Sequence, residues 1–259
     1  MNKTKTFHDL HHRAEPLVLP NAWDFGSAAV LAAEGFSAIG TTSLGVAVAA
    51  GLADGTGITR DETLALATRL ARLPLPVTVD IEGGFSEDPE TVAEYVTQLA
   101  ALGIAGVNLE DGRADTALAD AGHQAELIAA IKSRVPELFV NARVDTYWLQ
   151  LEQDSTLARA ETYLQAGADG IFVPGVTDPA EITRIVAAVP LPINMLYSVA
   201  GPSIAELAAL GVRRISTGSL LYRAALAGIV DIARAVRDGR AIPSGIPTYR
   251  EVQAITGSE

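Results

Sequence analysis

Short apolar runs rich in β-branched residues alternate along this chain with longer amphipathic runs of Ala, Leu and Glu. The apolar runs predict strands near 17–19, 38–41, 77–81, 106–109, 138–142, 170–173, 193–196 and 214–217, each followed by a helical segment. Strands that alternate with helices imply a parallel sheet, because parallel neighbours need a crossover connection. The punctuation repeats as well. AAEGFSAIG, AALGIAGVN, QAGADGIFV and AALGVRRIS share one grammar: a helix ends, a Gly follows, and a strand begins. Gly enters the left-handed region without steric cost, so it suits the residue that ends a helix. Eight such units predict an α/β fold: a single (β/α)8 barrel of TIM type over residues 1–259, with a leader helix in 1–16 and a C-terminal extension in 240–259. A dinucleotide-binding sheet is disfavoured, since PNAWDFGSAA after Leu19 has no Gly-rich fingerprint.

Composition narrows the function. Hydrophobic residues make up 49% of 259 and aromatics only 5%, so the core is built from Ala, Leu, Val and Ile. A formal charge of −12 argues against nucleic acid and anionic membranes as partners. No apolar run approaches the roughly 20 residues of a membrane helix, and the first residues lack the apolar core of a secretory signal. A cytoplasmic protein is the expectation. Absence of cysteine removes disulfides, thiolate metal sites and a thiol nucleophile. Lysine occurs only at Lys3, Lys5 and Lys132, none at a strand end, which disfavours a Schiff-base aldolase. Three of the four histidines lie in the leader, where HDLHH reads as a solvated helix rather than a zinc site.

In a barrel of this kind the chemistry sits where strands end. The third strand ends in Asp80 and Glu82, the fourth in Glu110, the fifth in Arg143, and the loop after the second carries Asp54. Asp80 and Glu82 are two apart, which places them on one face of a strand. Crowded carboxylates need a cation, and oxygen-only ligands suit Mg2+ first and Mn2+ next. Arg143 has the fork geometry to grip a substrate carboxylate. Thr42, Ser43 and Leu44 offer backbone N–H groups to an anion. Asn194 suits a distal carboxylate, Asp24 a water or the first helix, and Arg113 a lid formed by residues 113–122.

PNAWD, TTSLG with GLADG, VDIEGG, GVNLEDG, NARVDT and ADGIFVPG, in this order, resemble the isocitrate lyase/phosphoenolpyruvate mutase superfamily from about 17 to 223. The resemblance implies a barrel whose last helix is exchanged between the subunits of a dimer or tetramer. It implies a Mg2+ ion held largely through water, with Asp80 as direct ligand and Glu82, Glu110 and Asp54 in the outer shell. It implies that Arg143 contacts the substrate, and that the backbone of Thr42, Ser43 and Leu44 binds a 2-oxo acid. The reaction implied is cleavage of a C–C bond in a small 2-oxo or 2-hydroxy di- or tricarboxylate through a metal-stabilised enolate. The lyases' Lys-Lys-Cys-Gly-His loop is replaced here by 112–116, GRADT, and the histidine of the phosphonopyruvate enzymes by Pro174. Decarboxylation of a 2-oxo diacid lacks the fewest parts. A phosphonopyruvate mutase or hydrolase, and a non-catalytic 2-oxo acid-binding protein, are the competing readings.

Overall fold

The computed structural model describes residues 2–114 and 116–255. Nine strand segments form one parallel sheet in the order β1-β11-β10-β9-β8-β5-β4-β3-β2. They are β1 Leu17–Leu19, β2 Asn21–Ala22, β3 Ile39–Thr41, β4 Val77–Asp80, β5 Gly106–Glu110, β8 Phe139–Arg143, β9 Gly170–Phe172, β10 Ile193–Leu196 and β11 Arg214–Ser216. A separate antiparallel hairpin pairs β6 Gly112–Arg113 with β7 Ala117–Leu118.

The two ends of the sheet order are one stretch of chain. β1 and β2 flank Pro20, which has no N–H to give to a ladder. The Leu19 carbonyl accepts from the Thr217 N–H at 3.1 Å, and the Pro20 carbonyl from the Gly40 N–H at 2.9 Å. One proline-broken strand thus pairs with β11 on one side and β3 on the other, and the sheet closes as a (β/α)8 barrel. The predicted strands match these segments to within a residue or so at each end. Ile39, Val77, Val79, Val107, Val140, Ile171, Ile193 and Ile215 are almost wholly buried. Burial on both faces is why the runs are continuously apolar rather than alternating.

Polar side chains occupy the middle of the barrel. Asn108 Oδ1 accepts from Asn141 Nδ2 at 2.9 Å and from Arg214 Nη2 at 3.2 Å. Arg214 Nε donates to Ser216 Oγ at 3.0 Å, and Ser216 Oγ donates to Asn194 Oδ1 at 3.1 Å.

The leader is not solvated as expected. Helix α1 (Lys3–Leu10) covers the bottom of the barrel, where Phe7, Leu10, Leu17, Leu19, Ala38, Ala105 and Phe139 form one apolar cluster. His11 is 1% exposed and stacks on Phe139 at 4.1 Å, with Nδ1 donating to the Phe7 carbonyl at 2.8 Å. Phe7, Leu10 and His11 share a helix face at spacings of three and four. That apolar stripe stops the open barrel end from exposing its core. Burial, with the nearby Arg214 charge adding to it, pulls the His11 pKa down to about 3. A histidine that stays neutral in the fold but protonates when unfolded contributes full stability above its unfolded pKa. That stability drains away as the pH falls from about 6.5 towards 3. Replacing His11 with Phe is expected to flatten this part of the stability–pH curve, a change of a few kcal/mol at pH 4 in order of magnitude. Urea unfolding at pH 7 and pH 4 checks it, and equal pH slopes in both proteins would refute it.

The last long helix, α10 (Leu220–Arg237), buries only Tyr222 and Ala235 and leaves Leu226, Ile229, Val230 and Val236 exposed. Residues 244–247 of the extension border a groove along α10. Residues 256–259 of that extension, and Asp115 in the expected lid, lie outside the described residues. None of the described helices is long and apolar enough to cross a membrane.

Candidate active site

A cavity of about 920 Å³ opens at the C-terminal ends of the barrel strands. Thr42, Ser43, Leu44, Asp54, Asp80, Glu110 and Arg143 all line it. These seven residues come from five separate parts of the chain, and barrel closure brings them together.

Arg143 is the hub. Its Nη1 lies 2.7 Å from Glu110 Oε2 and its Nε 2.6 Å from Asp145 Oδ1. Trp148 and Phe172 flank the guanidinium, each ring centroid 5.8 Å away. The ends of β5 and β8 are tied together behind it. Asp111 Oδ1 accepts from the Asp145 N–H at 2.8 Å, and Asp111 Oδ2 from the Tyr163 hydroxyl at 2.6 Å. Satisfied buried networks of this kind hold a site rigid.

Asp80 closes strand β4, and its N–H donates to Thr41 Oγ1 at 2.8 Å. Its Oδ1 accepts from the Glu82 N–H at 3.2 Å, and Ser43, at the start of helix α3 (Ser43–Ala49), lies close enough to pull its pKa down. Ser43 also neighbours Asp54. Burial raises the Asp80 pKa, with Arg143 opposing. Burial and then the Asp80 charge raise Asp54. Burial raises Glu110 to about 8 against the pull of Arg143. Asp54 Oδ1 is buried with no hydrogen-bond partner.

These observations fit a hard divalent cation at the Asp80 carboxylate. Among the described residues no three acidic or histidine side chains converge tightly enough to hold an ion by themselves. The donor set suits Mg2+, which keeps several waters and takes one or two direct carboxylates.

Four expected residues fall elsewhere. Glu82 does not share the face of Asp80, because the strand ends at Asp80 and Glu82 takes a left-handed φ of 50°. Its carboxylate turns to the Thr59 hydroxyl at 2.5 Å and the Gly57 N–H at 2.8 Å. It thereby anchors the loop that carries Asp54. Arg113 does not face the cavity either. Its Nε pairs with Glu87 at 2.8 Å, Nη1 donates to the carbonyls of Glu110 and Gly112, and Nη2 donates to Gln124. A hairpin rather than a free lid holds it there, packed against Gly83, where an added Cβ would come within 2.8 Å of Nη1. Asp24 caps helix α2 (Phe25–Ala33) in a reciprocal box with Ser27. Asn194 sits a layer below the cavity, 1% exposed and bonded to Ser216.

Other lining residues went unassigned in the sequence. Asn21 donates to the Thr41 carbonyl at 2.7 Å and accepts from the Gly218 N–H at 2.9 Å, joining the two halves of the barrel seam at the rim. Arg223, in the first turn of α10, lines the cavity too. A search confined to strand ends stops short of it.

A family profile described as phosphoenolpyruvate phosphomutase matches residues 7–237. The chain belongs to that family, whose members include lyases and mutases, and it is an enzyme of that class. A Mycobacterium tuberculosis protein of the same size class is 51% identical over 96% of this chain and 95% of its own. An oxaloacetate decarboxylase of Ectopseudomonas mendocina is 34% identical over 70% of this chain and 65% of its own. The crystal structure of a Burkholderia cenocepacia protein described as a lyase/mutase superposes with a TM-score of 0.88 at 36% identity, covering 99% of this chain and 96% of that one.

Proposed function

We propose that this protein is a Mg2+-dependent carbon–carbon lyase that decarboxylates or cleaves a small 2-oxo or 2-hydroxy di- or tricarboxylate, with oxaloacetate the simplest candidate. The observation that carries this reading is the convergence of Asp80, Asp54 and Glu110 on one cavity beside Arg143, with Asp54 Oδ1 buried and without a hydrogen-bond partner among the described residues. Asp80 would hold the ion, and Asp54 and Glu110 would hold its waters. A bound divalent ion supplies a Lewis acid that polarises the 2-oxo oxygen and stabilises negative charge as the bond breaks.

The chain does the rest. The start of α3, at Ser43 and Leu44, receives the 2-oxo carboxylate, while the Thr42 N–H is held by the Ala22 carbonyl at 3.1 Å. Arg143 keeps donors beyond those given to Glu110 and Asp145, and these orient the substrate. Trp148 and Phe172 keep water away from that contact. Neither lysine nor histidine lines the cavity among the described residues. Decarboxylation needs only a proton returned to carbon, so it suits this lining. The uncovered face of α10 is read as the contact with a second copy in a homodimer or homotetramer, which light scattering on the whole chain tests.

The deciding assay follows pyruvate and CO2 from oxaloacetate, with Mg2+ or Mn2+ and with chelator. Metal-dependent turnover above the metal's own background supports the reading. Phosphate released from phosphonopyruvate instead would replace it with P–C chemistry. Ligand-induced thermal stabilisation without any product would make the protein a binder.

A further inference from the structure

Two cationic side chains line the cavity among the described residues, Arg143 and Arg223. They are in opposite conditions. Arg143 is committed to Glu110 and Asp145. The guanidinium of Arg223 has no ion-pair or hydrogen-bond partner among the described residues, and the side chain is exposed at the rim. An arginine inside a pocket with a negative excess, yet paired with none of those acids, is free to meet an anion that enters from outside.

Its position says which anion. Around the barrel, β11, which leads into Arg223, stands four places from β5, which carries Glu110, in either direction. Arg223 therefore occupies the wall facing the acidic cradle. Thr177, Ser198 and Ser219 line the same cavity. A 2-oxo carboxylate seated at Thr42–Leu44 brings its tail across the mouth. A second carboxylate on that tail is attracted to the facing arginine. The cavity, about 920 Å³, is also far larger than a three-carbon acid requires.

We propose that Arg223 is the specificity-determining residue that receives the distal carboxylate, so that this protein selects 2-oxo dicarboxylates over 2-oxo monocarboxylates. The inference rests on the metal-dependent 2-oxo acid site proposed above. Asn194, which the sequence suggested for this role, is buried and is not among the cavity-lining residues; its Oδ1 accepts from Ser216 and its Nδ2 has no partner among the described residues.

The test uses the whole chain with Mg2+ and three probes. Oxalate occupies only the cradle end. Oxaloacetate and 2-oxobutanoate share a backbone but differ in carrying a terminal carboxylate or a methyl group, and each is measured by competition against oxalate. The wild type is expected to favour oxaloacetate by about tenfold to a hundredfold, the usual range for a charge-assisted hydrogen bond. Arg223→Gln is expected to erase that ratio while leaving oxalate affinity unchanged, and Arg223→Lys to restore part of it. A wild-type ratio retained in Arg223→Gln overturns the assignment. An equal loss for oxalate overturns it too, since that marks a structural role. If oxalate with Mg2+ fails to bind the wild type, the underlying site reading falls and carries this inference with it.

Discussion

Replacing Asp80 with Asn is expected to abolish metal-dependent turnover while leaving the metal-free fold intact. Asp80 lines the cavity together with Asp54, Glu110 and Arg143. Loss of the direct ligand removes the electrophile, a contribution of several kcal/mol that corresponds to a fall on the order of a thousandfold or more in kcat/KM. The stability effect should run the other way. Burial already holds the Asp80 pKa high, so its charge is a cost in the metal-free protein. An amide keeps the shape and removes that cost. The melting temperature without metal is therefore expected to hold or rise, while the added stabilisation by Mg2+ with oxalate disappears. Turnover at the wild-type rate would mean that the ion is held elsewhere.

Replacing Arg143 with Gln is expected to damage both stability and binding. The guanidinium neutralises Glu110 on one side and Asp145 on the other, and Asp145 is 1% exposed. Breaking a buried pair leaves its partner charge without compensation, a cost of about 3–5 kcal/mol. Part of this returns if Glu110 takes up a proton, which its raised pKa makes easy near neutrality. Lysine is not an adequate substitute, since one ammonium cannot reproduce two pairs made through Nε and Nη1. Urea unfolding and oxalate titration are the two measurements. A variant that loses affinity without losing stability would confine Arg143 to substrate contact. Unchanged values in both would remove it from the site.

The helices and strands were legible because each carries its own signal. Apolar runs, helix-ending glycines and proline punctuation are local, and the strand positions read from them match the fold closely. The acids were legible for a related reason: a barrel puts strand ends at one mouth, so Asp80, Glu110 and Arg143 could be grouped without knowing any distance. Where the structure places a residue differently from its strand pattern, the cause lies beyond the strand. Glu82 follows the two-residue alternation only while the chain stays extended, and its left-handed φ rotates it towards Thr59. Arg113 seemed free in a loop, but its partners Glu87 and Gln124 come from other segments. His11 seemed solvated because a helix shows its face only when something packs on it, here the ring of Phe139.

By itself, then, the sequence determined the barrel, the order of its strands and the chemical kind of its mouth. It did so because secondary structure and strand-end placement depend on residues near one another in the chain. Only the tertiary structure decided which carboxylates face the cavity, which arginine is committed and which is free. Asp80, Glu110, Arg143 and Arg223 reach the cavity from four different strand–helix units. Charges interact through space, and their pairing is set when the Pro20-broken strand closes the sheet and brings β11 round to face β5.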